Sequence, residues 1–238
     1  MSPQMFDWIG FDADDTLWQN EIHYRQARAE FEEIMAGYGQ GEGVDEVVNR
    51  VELENLSYYG YGAIGFVVSL IEAGIEITNG DISAADIQRL LDLSKEMISA
   101  EAELLPGAEQ LVTELSQQYP LLLVTKGDLR HQTQKVERSG LRGYFKAVEV
   151  VSEKNPDVYR KLLERHAILP DHFLMVGNSM RSDILPVLTI GGYAAHVAHS
   201  MTWDHEVAEA PYENQRRFLS VDQLSELPSA MEALIDRQ

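Results

Sequence analysis

Three aspartates crowd one short stretch, Asp12-Ala13-Asp14-Asp15-Thr16, directly after the apolar run Phe6 to Phe11. Two carboxylates spaced by one residue, just past a strand, can face one pocket. One can then attack an electrophile and bind a cation while the other moves a proton. An acidic turn with a side-chain cap would carry the same string. Three further segments combine a short apolar run with polar residues at its end. Leu121 to Val124 leads into Thr125-Lys126-Gly127-Asp128, where a hydroxyl before a glycine turn and a helix start can bind a phosphate oxygen. Ala147 to Val151 leads into Ser152-Glu153-Lys154-Asn155-Pro156, where a fixed ammonium can neutralise a phosphoryl group. Phe173 to Val176 leads into Gly177-Asn178-Ser179-Met180-Arg181-Ser182-Asp183, a set of hard oxygen donors of the kind that suits magnesium. Taken singly, each of these three is equally an N-capped helix start or a solvated lysine.

Positioning these ends requires a particular arrangement of elements. From residue 104 onward the pattern alternates between helical stretches and short apolar runs. Helices are expected at Ala108 to Gln118, Leu129 to Ser139, Pro156 to Arg165, Asp183 to Leu188 and Met231 to Ile235. Strands are expected at Leu121 to Thr125, Ala147 to Val151, Phe173 to Val176 and Tyr193 to Val197, with Phe6 to Phe11 joining the same sheet. Such alternation predicts an α/β, doubly wound, Rossmann-like parallel sheet, whose ligands sit at the carboxyl ends of the strands. Residues 19–103 read as entirely helical. Tyr24, Ala27, Phe31, Ile34, Met35 and Tyr38 recur at helical spacing, and Ser83 with Asp86 three residues on resembles a capping box. The expected organisation is a core of residues 1–18 and 104–238, with an inserted all-helical domain at 19–103.

Composition sets the background. The 238 residues are 45% hydrophobic and 24% charged, an ordinary globular composition. There is no cysteine, which excludes disulfides, thiolate metal sites and cysteine nucleophiles. The net charge of -20, from 19 basic and 39 acidic residues, repels nucleic-acid polyanions. It also disfavours a small phosphate ester, so a phosphate site needs its own lysines and a metal. The first twenty residues hold four aspartates and no basic-then-apolar leader pattern, and the longest candidate span, Ala63 to Leu70, is too short for a bilayer. The expectation is a cytoplasmic protein with neither membrane nor nucleic-acid partners.

The four strand-end segments occur in an order that resembles the haloacid dehalogenase superfamily. Its motifs are a DxDx(T/V) strand end, a Thr or Ser strand end, a Lys, and a G(D/N)-type loop ending in an acid. The helical insertion resembles that family's C1-type cap. The resemblance implies a Mg2+-dependent phosphatase acting on a small phosphorylated metabolite of the nucleotide, phosphoglycolate or sugar phosphate class. It implies that Asp12 attacks phosphorus to form an aspartyl-phosphate, while Asp14 protonates the leaving oxygen and later deprotonates water. Thr125 and Lys154 would hold phosphate. Lys126 stands where the family more commonly has Asn, and either adds positive charge to the phosphate site or points to solvent. Asp12, Asp183 and the backbone carbonyl of Asp14 would bind magnesium, with Asn178 in contact where many relatives carry an acid. Asp14 must be protonated for the first step, so neighbouring acids are expected to raise its pKa.

Other functions remain to be weighed. A 2-haloacid dehalogenase shares the resemblance but lacks the second aspartate, so Asp14 argues against it. A phosphomutase would keep all four segments. A phospho-accepting signalling module would place its acceptor on the third strand of a chain half this long. Gly60-Tyr61-Gly62-Ala63-Ile64-Gly65 matches a dinucleotide-binding pattern, but its helical flanks are wrong for one, and a hinge or loop in the insertion is expected instead. His196, His199 and His205 match no zinc spacing.

Overall fold

The structure is a computed structural model and describes residues 5–209 and 216–235. Its sheet has six parallel strands: β1 (Trp8–Phe11), β2 (Leu121–Lys126), β3 (Phe145–Val151), β4 (Phe173–Gly177), β5 (Tyr193–Val197) and β6 (Phe218–Val221). Their order is β3-β2-β1-β4-β5-β6. β1 therefore lies in the middle, with Phe11 opposite Leu123 of β2 and Val176 of β4. The strand order reverses on either side of β1, the place where doubly wound sheets open a crevice at the carboxyl ends. The nine α-helices of the described residues are α1 (Glu21–Gly37), α2 (Val44–Tyr59), α3 (Ala63–Ile77), α4 (Ala84–Ser99), α5 (Ala108–Ser116), α6 (Leu129–Arg138), α7 (Pro156–Arg165), α8 (Leu185–Thr189) and α9 (Leu227–Ile235).

By its internal contacts the chain forms two compact units, one running to Glu21 and resuming at Ala102, the other Ile22–Glu101. In the first unit the sheet is covered on both faces, which is why its strands read as continuous apolar runs rather than alternating ones. Leu121 and Leu123 pack with Ile9, Phe11 and Val176 against Leu111 and Leu115 of α5 and Leu227 and Met231 of α9. Leu122 and Val124 point the other way, with Met175, onto Tyr159, Leu162 and Leu163 of α7. Each such fully buried leucine contributes about 2 kcal/mol of transfer free energy. Gly10 is required on this second face, because any Cβ there would overlap the Phe173 ring.

The second unit packs α1 to α4 around Phe31, Met35, Val48, Val51, Phe66, Leu70, Leu90 and Leu93. Ser83 caps α4, its hydroxyl accepting from the Asp86 N–H at 3.1 Å. The glycines of the dinucleotide-like pattern lie in the α2–α3 connection, where Gly60 (φ 68°) and Gly62 (φ 129°) take backbone conformations that side chains disfavour.

Two sequence expectations change. The sequence reading has five strands, and β6 is a sixth, paired with β5 from Ala194–Phe218 to Val197–Val221. It has only four residues and follows a polar run, so it carries little periodic signal. The helix expected from Asp183 to Leu188 is instead a π-helical turn, Met180–Ile184, followed by α8. The Ile184 N–H reaches back to the Ser179 carbonyl at 3.3 Å. Pro186 lacks an N–H and so belongs in the first turn of a new helix.

Candidate active site

Asp12 is the first residue past β1. Its N–H donates to the Val176 carbonyl at 2.8 Å, so the sheet ladder pins its backbone to β4. Its carboxylate is buried and contacts the Lys154 ammonium through Oδ1. The same ammonium donates to Asp183 Oδ1 at 2.7 Å. One lysine from the end of β3 thus bridges carboxylates from the ends of β1 and β4, all three side chains being under 10% exposed. Burial, followed by the neighbouring Asp183 charge, raises the Asp12 carboxyl despite the Lys154 contact. Burial likewise raises Asp183. Lys154 is raised well above its ordinary value: burial opposes its charge, but Asp12 and Asp183 outweigh burial.

Local structure holds this bridge in place. The Ser179 N–H donates to Asp183 Oδ2 at 3.0 Å, and the Ser179 hydroxyl caps the π-helical turn by accepting from the Ser182 N–H at 2.9 Å. Gly177 is needed because a Cβ there would overlap the Asp183 carboxylate. The Thr16 hydroxyl lies 3.0 Å from Asp12 Oδ2 and 3.2 Å from Asn178 Oδ1, and accepts from the Asn178 N–H at 3.1 Å. Asn155 opens α7 by accepting from the Val158 N–H, which fixes the backbone next to Lys154.

Thr125 is two residues past Leu123, which pairs with Phe11, so in the sheet register it stands one step beyond Asp12. Its hydroxyl is buried and makes no hydrogen bond among the described residues. Such an orphan is costly unless a ligand supplies the partner. Lys126 is placed differently. Its ammonium donates to Glu206 Oε1 at 2.5 Å and to the Ser182 hydroxyl at 3.0 Å.

Asp14 departs from expectation. Its carboxylate accepts from Trp18 Nε1 at 2.7 Å, from Gln132 Nε2 at 2.8 Å and from the Lys135 ammonium. Burial pushes this carboxyl up, but Lys135 and the two neutral donors outweigh it, and the pKa is lowered rather than raised. The expectation counted acids nearby and missed the cation on α6. That helix offered a signal: in LRHQTQKVER only Leu129 and Val136 are apolar, and Leu129 is exposed, so polar residues must fill its inward face. Asp15, with no role in the sequence reading, takes φ 58° and accepts from the Asn20 and Glu21 N–H groups at the start of α1. Glu206 was also missed, since nothing local in sequence ties it to the strand ends.

A hard divalent cation suits the donors present. The Asp12 and Asp183 carboxylates already converge on one cation, and the Asn178 amide oxygen lies beside Asp12 through Thr16. The Asp14 side chain is committed elsewhere, which leaves its backbone carbonyl as its only possible ligand. Among the described residues no group of three His, Cys, Asp or Glu side chains forms a metal cluster, so two carboxylates plus neutral oxygens are the set available.

Known proteins resemble this chain. The chain is 38% identical to a haloacid dehalogenase-like hydrolase of known structure from Xanthomonas campestris, with a TM-score of 0.87 over 100% of this chain and 95% of that one. It is 25% identical over 197 residues to the N-acylneuraminate-9-phosphatase of Rattus norvegicus, covering 77% of this chain and 78% of the relative. It is 27% identical over 202 residues to the pyrimidine 5′-nucleotidase YjjG of Escherichia coli (strain K12), covering 78% and 83%. The rat relative is a phosphatase and the Escherichia coli one a 5′-nucleotidase, which supports phosphoric monoester hydrolysis as this chain's activity. Residues 6–187, most of the chain, match the haloacid dehalogenase-like hydrolase family, and the chain belongs to that family.

Proposed function

We propose that this protein is a Mg2+-dependent phosphatase that hydrolyses a small phosphorylated metabolite through an aspartyl-phosphate on Asp12. The observation that carries the reading is the buried bridge of Lys154 between Asp12 and Asp183 at the centre of the sheet's carboxyl edge. In the proposed reaction an Asp12 oxygen attacks phosphorus and the ester oxygen leaves with a proton from Asp14. Water then attacks the acyl phosphate, its proton returning to Asp14. The contacts of Asp14 favour its ionised form, the form that takes the proton from water. Its acid role requires loosening the Lys135 contact, because an adjacent ammonium favours the anion. Thr125 and Lys154 hold the phosphoryl oxygens, and the unpartnered Thr125 hydroxyl supports that assignment. Asp12, Asp183, the Asp14 carbonyl and Asn178 would hold magnesium, which when bound supplies charge neutralisation between the carboxylate and the phosphoryl oxygens.

Residues 22–101 are proposed to act as a cap that sets substrate choice and excludes large polymers. The named relatives act on an acylneuraminate 9-phosphate and on pyrimidine 5′-nucleotides, which supports a small metabolite ester here. A panel of nucleotides, sugar phosphates and phosphoglycolate, run with and without magnesium, tests this. Turnover that needs magnesium and disappears in Asp12→Asn is expected. Turnover of a chlorinated acid and of no phosphate ester would replace the proposal with a dehalogenase.

A further inference from the structure

Glu206 lies past β5, far in sequence from every strand-end segment, yet its carboxylate is surrounded by them. Its Oε1 accepts from the Lys126 ammonium at the end of β2 at 2.5 Å. Its Oε2 accepts from the Ser182 hydroxyl at 2.5 Å and from the Ser179 hydroxyl, both in the turn that carries Asp183. Lys126 and Glu206 side chains are 12% and 13% exposed. Burial opposes the Glu206 charge, but Lys126 and the serines hold its pKa down to about 2.

The place of this pair gives it a consequence. Lys126 follows Thr125, Ser182 precedes Asp183, and Glu153, 3.9 Å from the Lys126 ammonium, precedes Lys154. Lys126 is thus next to Thr125 in the chain and in contact with the residues that adjoin Asp183 and Lys154, so its charge, if not offset, would add to the site's hold on a phosphate dianion. Glu206 offsets it. We propose that Glu206 is a positioning residue that ties the Asp183 turn to β2 and, by neutralising Lys126, limits how tightly the site retains phosphate. The phosphate product is then released rather than trapped. This rests on the phosphatase reading above.

The test is the dissociation constant of inorganic phosphate, measured by titration calorimetry on the full chain, with p-nitrophenyl phosphate hydrolysis measured beside it. Glu206→Gln removes the charge and keeps hydrogen-bonding groups for the serines. At an effective dielectric between about 40 and 80, one unit charge roughly 10 Å from a dianion changes its affinity by roughly four- to sixteen-fold. Glu206→Gln should therefore bind phosphate several-fold more tightly than wild type, and Lys126→Met several-fold more weakly. The double variant Glu206→Gln/Lys126→Met should return near wild type. A purely structural Glu206 gives the opposite sign: binding weakens in Glu206→Gln and is not restored in the double variant. Unchanged binding in Glu206→Gln also overturns the inference. Should Glu206→Gln fail to fold, Lys126→Met alone decides, since unchanged or tighter binding there contradicts it. A wild type that neither binds phosphate nor hydrolyses the ester removes the phosphatase reading and this inference together. A wild type that does both, with unaltered variants, removes this inference alone.

Discussion

Replacing Lys154 with Met removes the one positive charge between two buried carboxylates. Asp12 Oδ1 and Asp183 Oδ1 both contact the same tetrahedral ammonium, so they stand about 4 Å apart. At an effective dielectric of 20 their unscreened repulsion is about 4 kcal/mol. Measured losses on breaking buried pairs run to about 3–5 kcal/mol, and that is the expected destabilisation of Lys154→Met at pH 8 in EDTA. The loss must depend on pH. Without the ammonium, both carboxyls are raised further above their unfolded values. A carboxyl raised on folding binds its proton more tightly in the folded state, so stability falls as pH rises through the window between the unfolded and folded values. Lys154→Met should thus lie nearer to wild type at pH 5 than at pH 8. Adding Asp12→Asn to it should recover about half of the loss, because one of the two charges is gone. Urea unfolding followed by circular dichroism measures all three proteins at both values. A loss below about 1 kcal/mol at pH 8, or one that is the same at pH 5, would refute the reasoning that this bridge is electrostatic.

Three further outcomes follow from the same geometry. Gly177→Ala places a methyl group on the Asp183 carboxylate, and a displacement of this size near reacting groups lowers kcat by roughly 100-fold. Steady-state kinetics beside a melting curve separates that from simple unfolding. Lys135→Met deprives Asp14 of its ion pair at a cost of about 2 kcal/mol near neutral pH. Since the lowered Asp14 pKa contributes stability above its unfolded value that is lost as pH falls through its folded value, the wild type should lose more stability than Lys135→Met on acidification, as pH-dependent urea unfolding would show. Lys135→Arg, which keeps the charge, should retain most of the wild-type acid sensitivity.

The strand ends were legible because burial on both faces writes β2 and β4 as unbroken apolar runs, and the polar residue that ends each run stands out. β6 was not legible, because four residues beside a polar run carry no period. The partners of Asp14 and of Lys126 were hidden for another reason. Gln132 and Lys135 reach Asp14 across more than a hundred residues, and Glu206 reaches Lys126 across eighty, contacts that no local pattern encodes. Counting aspartates around residue 14 therefore led to the wrong direction for its pKa, while α6 supplied the deciding charge. The sequence opens a helix at Asp183 because π-helical and α-helical turns share the same residues. Only Pro186 hinted that the helix starts later.

In the proposed reaction the phosphoryl group becomes covalently bound to Asp12. Wild-type protein mixed with a phosphorus-labelled ester and magnesium, quenched in acid within one turnover and digested, tests it most directly. Label on the peptide that contains Asp12, absent in Asp12→Asn, is the predicted result. Turnover with label on another residue, or retained in Asp12→Asn, would contradict it.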